Sequence, residues 1–428
     1  MNNFIRDIFG KKVLIFGLGR QGGGAGDAAW LKKHGAIVRL SDKDTELVKE
    51  GQTLEQIEWA DIIIKNPGVP DDNQLILSGK SMGKEIYTSI ALFVKYGDVK
   101  TIGVTGTRGK STTVALIGDL LEAAYPGQVI RGGNIAGTSC LALFDQLEGV
   151  SYAVLELSSF QLHNFHELHV SPNIAVVTNL YPDHLNRYSS MDEYRLDKEA
   201  ICKYQDNTDL CIYNSQNPGA QEIARNSKGR LVPFSFSQCE SWQTTLHGIH
   251  NKENIAAMAA VAKELGIKES LAREVVAKFG GVPYRQEVVA TIAGITYIND
   301  TTATTPTAAQ KALLAATTPT IWITGGDTKR LPFFDLIVEA GSCPLLKKII
   351  ILGSKNIPDY VSALKDVAGD KIVGTAASMA EALDLARSVA DPGDSILLSP
   401  GFASFDLFKN EFDRGRQFND IVKSYAQN

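Results

Sequence analysis

Short β-branched runs recur along the chain, each followed by a glycine-rich turn and a stretch rich in Ala, Leu and Lys at helical spacing. The runs lie at 13–16, 37–40, 61–65, 101–104, 152–157, 174–178, 210–213, 321–324, 348–352 and 395–398. Such runs are apolar on both faces, as strands are when helices cover a parallel sheet from both sides. The pattern predicts an α/β protein. One departure from it stands at 287–291 and 295–298, where two strand-like runs flank Ala293-Gly294 and predict a hairpin.

The alternation restarts twice. A first block runs over 1–97 and opens with a strand followed by Gly17-Leu18-Gly19-Arg20-Gln21-Gly22. A second, 98–281, opens with the strand at 101–104 and closes with two helical stretches, 251–265 and 270–279. A third, 282–428, follows Gly280-Gly281-Val282-Pro283 and begins with the hairpin. Each block has its own opening strand and enough chain for its own core, so three domains are expected.

Composition narrows the class. The 428 residues carry 43 basic and 48 acidic side chains, a net charge of −5, with 44% hydrophobic residues. This composition excludes a disordered or fibrous chain. The slight acidity leaves no electrostatic footprint for nucleic acid or an anionic membrane surface, although a local loop still binds phosphate against the global charge. The five cysteines include no CxxC pair, so buried thiols are expected rather than disulfides or a zinc site. No leader pattern opens the chain and no apolar run reaches the roughly 18 residues that span a bilayer, so a soluble cytoplasmic protein is expected.

The sharpest motif is Gly103-Val104-Thr105-Gly106-Thr107-Arg108-Gly109-Lys110-Ser111-Thr112-Thr113. It follows a strand and opens a helix. Gly106 and Gly109 allow the backbone N–H groups to curl inward, the helix N-terminus adds positive potential, Lys110 reaches outer phosphates and Ser111 suits Mg²⁺. Val104 stands where the strict phosphate-loop pattern has its first glycine. Further on, Glu156 ends the strand at 152–157, where it suits a metal beside phosphates and equally an ion pair or cap. His184 follows the strand at 174–178. His163, His166 and His169 read as a solvated surface. In the first block the GxGxxG run with Asp42 beyond it fits a dinucleotide loop, though that pattern alone is weak.

TGTRGKST at 105–112, ELSSFQL at 156–162, DHLNRY at 183–188 and YRLDK at 194–198 together resemble the ATP-dependent Mur ligases of peptidoglycan synthesis. ELSSFQL, GGN at 132–134, PYRQE at 283–287, IND at 298–300, GGDTK at 325–329 and SPGFASFDLFKNEFDRG at 399–415 are similar to the glutamate-adding branch of that family. The motifs stand in family order along the whole chain. The resemblance implies three domains: a Rossmann-like N-terminal domain, a phosphate-loop central ATPase and a Rossmann-like C-terminal domain. It implies that ATP phosphorylates a carboxylate of UDP-N-acetylmuramoyl-L-alanine and that glutamate, D-glutamate in this branch, then displaces phosphate to form an amide. The alternative within the family is addition of L-glutamate or another amino acid.

By the same resemblance, Gly106, Thr107, Gly109, Lys110, Ser111, Thr112, Asn251, Asn254, Arg285 and Asp300 would bind ATP. Gly19, Arg20, Gln21, Gly22, Asp42, Lys43, Asn66, Gly68 and Asn134 would bind the UDP substrate, and Thr304, Lys329 and Ser404 the glutamate. Two Mg²⁺ ions are implied, with Ser111, Glu156, His184 and a carbamylated Lys198 as ligands. Lys110, Glu156, His184 and Lys198 form the implied catalytic set. A monomer is implied. Arg108, Thr302, Glu411 and the segment 88–93 depart from the family pattern, and the changes at 302 and 411 fall on the amino-acid side. A nicotinamide oxidoreductase would leave 105–112 without a role, and a simple phosphotransferase would leave the first block without one.

Overall fold

The computed structural model describes residues 3–19, 22–135, 138–183, 187–244, 246, 248–328, 332–353, 355–404 and 406–425. Among these residues there are three sheets, one in each block. The first contains β1 (Lys12–Phe16), β2 (Ile37–Ser41), β3 (Ile62–Lys65) and β4 (Glu85–Tyr87), in the order β2-β1-β3-β4 and fully parallel. The second contains β5 (Lys100–Thr105), β6 (Val129–Gly133), β7 (Tyr152–Glu156), β8 (Ile174–Val177), β9 (Leu210–Asn214) and β10 (Arg230–Phe234). Its order is β10-β9-β8-β5-β7-β6, again all parallel. The third contains β11 (Glu287–Ile292), β12 (Ile295–Asn299), β13 (Thr320–Gly325), β14 (Leu346–Leu352), β15 (Ile372–Ala376) and β16 (Ser395–Gly401), in the order β11-β12-β16-β13-β14-β15.

Among the described strands only β11 and β12 pair antiparallel, as the hairpin signal predicts. Ala293 and Gly294 both take positive φ, 51° and 80°, which matches the twist of a two-residue hairpin turn. The sequence reading missed β4, β6, β10 and β15, and each is the outermost strand of its sheet. An edge strand buries fewer positions, as in β10 with one buried residue of five, so its hydrophobic run is broken. All five cysteines are free and buried, as expected. No described helix is long and apolar enough to cross a membrane.

The chain forms two compact units, 1–279 and 280–428. The second begins beside the boundary expected at 282. The boundary expected at 97/98 falls inside the first unit, between the helix Ser89–Tyr96 and β5. One hydrophobic core runs through both of that unit's sheets, from Phe4 and Trp30 through Phe93 to Leu141, Phe144 and Leu155. Phe144 lies 5.8 Å from Phe4, 5.5 Å from Trp30 and 5.3 Å from Phe93, ring to ring. Such aromatic groups gain from tilted and edge contacts beyond their burial.

Polar ties cross the same interface. Asp27, in the helix Gly23–Lys33, is buried and accepts from Ser139 Oγ at 2.6 Å and from the Leu141 N–H at 3.1 Å. Burial raises its pKa against those hydrogen bonds. Asp145 accepts from Trp30 Nε1 at 2.9 Å and from Lys33 Nζ at 2.6 Å. Arg187 donates to the carbonyls of Gly68 and Pro67 and lies 4.1 Å from the Phe160 ring centre.

His163 corrects the expectation of a solvated histidine. Its Nδ1 lies 2.8 Å from Asp197 Oδ1 and its Nε2 lies 3.2 Å from Asp71 Oδ2, while Asp71 also pairs with buried Lys65 at 2.9 Å. A helix-end histidine looks solvated in sequence because its partners lie far away in the chain. The hydrogen bond to Asp197 raises the imidazole pKa, with burial and Lys65 opposing.

Two outcomes follow. Asp27→Ala strands the Ser139 and Leu141 donors and should cost about 1–3 kcal/mol in chemical denaturation. A raised histidine pKa means that the folded state binds the proton more tightly. The His163 contribution is therefore complete below about pH 6.5 and lost as pH rises through the shifted value. His163→Gln should consequently lose less stability than wild type between pH 6 and pH 8, measured by urea unfolding at both.

Candidate active site

Parallel α/β sheets bind ligands where strands end and helices begin. At the end of β5, Gly106 takes φ 154° and Gly109 takes φ 82° as the cap of the helix Lys110–Ala124. Lys110 Nζ folds over the loop and donates to the carbonyls of Gly106 at 2.8 Å and Thr107 at 3.2 Å. Neighbouring segments strap the loop down. Asn179 Oδ1 accepts from the Arg108 N–H at 2.9 Å, and Thr178 Oγ1 donates to the Arg108 carbonyl at 2.7 Å. Thr107 Oγ1 reaches the Tyr181 carbonyl and the Tyr194 hydroxyl. Ser111 and Thr112 are half-buried in the first turn of the helix.

Asn254, buried in the helix Ile249–Glu264, accepts from Thr113 Oγ1 at 3.2 Å and donates to Asn251 Oδ1 at 3.3 Å. Its amide thus ties the first turn of the helix Lys110–Ala124 to the helix Ile249–Glu264. Glu156 ends β7 and is buried; Asn134 donates to its Oε1 at 3.0 Å.

Lys198 lies in the helix Met191–Glu199, capped by Ser190. It is 1% exposed. Its Nζ donates to the Gly106 carbonyl at 3.1 Å and sits 4.7 Å from the Tyr194 ring centre. Desolvation first, and the charge of Lys110 second, hold its pKa well below the usual lysine range, while Asp183 and Asp197 oppose. In sequence this residue is indistinguishable from a surface lysine; the fold brings it under the phosphate loop. His184, the remaining member of the implied catalytic set, lies outside the described residues.

The first sheet contributes the other half of the site. A cleft of about 350 Å³ is lined by Gly17–Gly19, Lys65–Gly68, Asn134, Ser158 and Phe160, among others. Gly22 caps the helix Gly23–Lys33 in the left-handed region at φ 86°. Asp42 is buried and accepts from the N–H groups of Gly19 and Asp44, both at 2.9 Å, so its carboxylate braces the glycine loop. Lys43 beside it is exposed. Asn66 Oδ1 accepts from the Gly68 N–H at 2.8 Å and shapes the turn. Arg20 and Gln21 lie outside the described residues. Sequence reasoning missed Lys65, a buried cation on the wall of the cleft that also donates to the Val69 carbonyl at 3.0 Å. Its place at the tip of a strand, just before a glycine turn, was the available signal.

In the second unit, Asp300 follows β12. Ser399 Oγ donates to its Oδ2 at 2.8 Å and the Gln286 N–H to its Oδ1 at 3.1 Å. Burial pushes its pKa up to about 6 against these bonds and the Arg285 charge. Arg285 is exposed between Tyr284 and Gln286, both at positive φ. Thr304 is half-buried. Ser404 is 3% exposed, with no partner for its hydroxyl. Lys329 lies outside the described residues. Thr302 Oγ1 donates to the Tyr284 carbonyl at 3.0 Å, and Phe412 packs edge-on to Tyr284.

Residues 104–272 match the Mur ligase middle domain, and residues 284–402 match the Mur ligase, glutamate ligase domain. The UDP-N-acetylmuramoylalanine–D-glutamate ligase of Roseiflexus sp. strain RS-1 is 33% identical over 469 residues, covering 98% of this chain and 100% of the relative. The ligase of the same name from Christiangramia forsetii is 34% identical over 455 residues, covering 97% and 100%. Among solved structures, the UDP-N-acetylmuramate-alanine ligase MurC of Thermotoga maritima aligns with TM-score 0.59 at 18% identity, over 97% of this chain and 99% of that one. The MurF ligase of the same organism, in complex with ADP, aligns with TM-score 0.56 at 15% identity, over 98% and 97%. The structural likeness establishes the fold. The relatives extend the match through the first block, where the GLGRQG loop lies, to nearly the whole chain, and the protein belongs to the Mur ligase family.

Proposed function

We propose that the chain joins D-glutamate to UDP-N-acetylmuramoyl-L-alanine, with conversion of ATP to ADP and phosphate, in the cytoplasmic synthesis of peptidoglycan precursor. The full-length relatives bear that activity in their names. The observation that carries the reading is the contact between Asn134 and Glu156: Asn134 lines the cleft of the first sheet, and its carboxamide holds the carboxylate beside the phosphate loop. A carboxylate seated at that wall would lie next to the nucleotide, which is what its phosphorylation needs.

In this reading the loop N–H groups and Lys110 hold the β- and γ-phosphates, with Lys110 turning from its loop carbonyls toward them. An oxygen of the substrate carboxylate attacks the γ-phosphorus as the bond to ADP breaks. The amine of glutamate then attacks the acyl carbon, loses a proton, and phosphate leaves. Gly19, Arg20, Gln21, Gly22, Asp42, Lys43, Asn66 and Gly68 would receive the UDP portion. Thr304, Lys329 and Ser404 would receive glutamate, and Asn251, Asn254, Arg285 and Asp300 would complete the nucleotide site.

Ser111, Glu156, His184 and Lys198 would hold two Mg²⁺ ions, which supply positive charge beside the transferred phosphoryl group. The donor chemistry fits: Glu156 is a strand-end carboxylate with one oxygen carrying no described bond, and Ser111 is a hydroxyl in the first turn of the phosphate-loop helix. Lys198 fits once carbamylated. Burial favours its neutral amine, and that amine adds to CO₂ with formation of an N–C bond and release of a proton, leaving an anionic oxygen ligand. The protein is read as a monomer.

Phosphate release should require ATP, UDP-N-acetylmuramoyl-L-alanine and glutamate together, and should favour the D- over the L-enantiomer, in a coupled ADP assay. Release independent of either substrate would sink the reading. Lys198→Ala should lose at least a hundredfold in kcat and regain part of it with added short carboxylic acids. Absence of any regain would remove the carbamate from the mechanism.

A further inference from the structure

The C-terminal unit buries the guanidinium of Arg414 completely, at 0% exposure. Arg414 lies in the helix Glu411–Tyr425. Its Nε donates to Thr301 Oγ1 at 2.9 Å, its Nη2 to the Thr301 carbonyl at 2.9 Å and its Nη1 to the Phe402 carbonyl at 3.2 Å. All three acceptors are uncharged, and no described carboxylate bonds the group. Of five N–H donors, two remain. Burial lowers its pKa to about 9, with Glu411 opposing, so the side chain stays cationic at neutral pH. A buried charge without a bonded counter-charge costs stability unless an anion completes its surroundings.

The surroundings point to such an anion. Arg414 and Ser404 line one small cavity at the C-terminal ends of β13, β14 and β16, with Gly325, Gly326, Gly353 and Asp406, whose Oδ2 accepts from the Lys355 N–H at 3.0 Å. The Ser404 hydroxyl in that wall is unpartnered although the residue is 97% buried by its 3% exposure. The helix is anchored firmly enough to hold the cation still. Asn299 donates from Nδ2 to the Gly415 carbonyl at 2.9 Å and to Asn419 Oδ1 at 2.7 Å, and a Cβ on Gly415 would stand 2.5 Å from Thr301 Cγ2. Arg414 therefore spans the two segments, 301–304 and 402–404, that carry Thr304 and Ser404.

We propose that Arg414 is an electrostatic positioning residue of the amino-acid pocket: it fixes the Thr301 and Phe402 segments and supplies the permanent positive field that selects an acidic amino acid over its uncharged amide. This rests on the assignment of Ser404 to the glutamate pocket. Selection by a field differs from selection by shape, because glutamate and glutamine are nearly isosteric.

The test compares D-glutamate with D-glutamine in the full-length enzyme. In Arg414→Gln, the ratio of kcat/KM for glutamate to that for glutamine should fall at least tenfold, with KM for ATP within twofold of wild type. In Arg414→Lys, which keeps the charge, the ratio should stay within threefold. An unchanged ratio in Arg414→Gln, both substrates falling together, would overturn the proposal, because that is what loss of a purely structural tie produces. Should Arg414→Gln not fold, Arg414→Lys still decides, since a tenfold fall in the ratio with the charge retained refutes selection by charge. Thermal stabilisation of the same proteins by each amino acid needs no turnover. A wild type stabilised by glutamate and not by glutamine, with the difference lost in Arg414→Gln, supports the anchor even if the ligase reading fails; equal stabilisation by both rejects it.

Discussion

The phosphate loop can exist only because two of its residues have no side chain. A Cβ on Gly106 would stand 1.9 Å from Thr178 Oγ1, and a Cβ on Gly109 would stand 2.2 Å from Asn254 Oδ1. The loop therefore passes between the segment after β8 and the helix Ile249–Glu264 with no room to spare, and its left-handed turn at Gly109 starts the next helix. That close passage brings the Gly106 carbonyl over Lys198 and gives Asn179 and Thr178 their hold on Arg108. The nucleotide side of the proposed site is a consequence of how tightly this backbone is threaded.

Charge is managed locally throughout. The chain is net acidic, yet Lys65 and Arg414 are each buried at a place proposed to face an anionic ligand. Lys65 has a resident counter-charge in Asp71; Arg414 is bonded to neutral oxygen atoms. Buried cations of this kind lose hydration that a bound anion restores, so affinity and fold stability draw on the same residues. Asp300 is the mirror case, a buried carboxyl whose ionisation is deferred to about pH 6 by desolvation.

Much of this was legible in the residues. Interior strands announced themselves because both of their faces are buried, and the hairpin because Ala293-Gly294 interrupts two apolar runs. The edge strands β4, β10 and β15 did not, since few of their positions are buried, and β6 did not because Arg131 and two glycines break its apolar run. Long glycine-bearing motifs marked the phosphate loop and the family. The individual roles were harder. Asp42 looks like a ligand-binding acid, and its sequence gives no sign that it also holds the N–H groups of Gly19 and Asp44. His163 looks solvated and is bridged by Asp71 and Asp197, which lie 92 and 34 positions away. Arg414 sits in a helix whose sequence gives no sign that its guanidinium is enclosed. Local pattern reports on neighbours within a turn or a strand, whereas burial of a polar group is decided by chain segments brought in from elsewhere.

The aromatic contact between the two sheets of the first unit also constrains how the chain can be made. Phe4, Trp30 and Phe93 belong to the first block, while the ring that packs against all three, Phe144, belongs to the second. During synthesis at about 5–20 residues per second, the first block emerges several seconds before that ring exists. Its own sheet of four strands is complete by Tyr87, but its aromatic face stays uncovered until residue 144 has left the ribosome. A truncation at 97 would leave the first block without the ring that covers Phe4, Trp30 and Phe93.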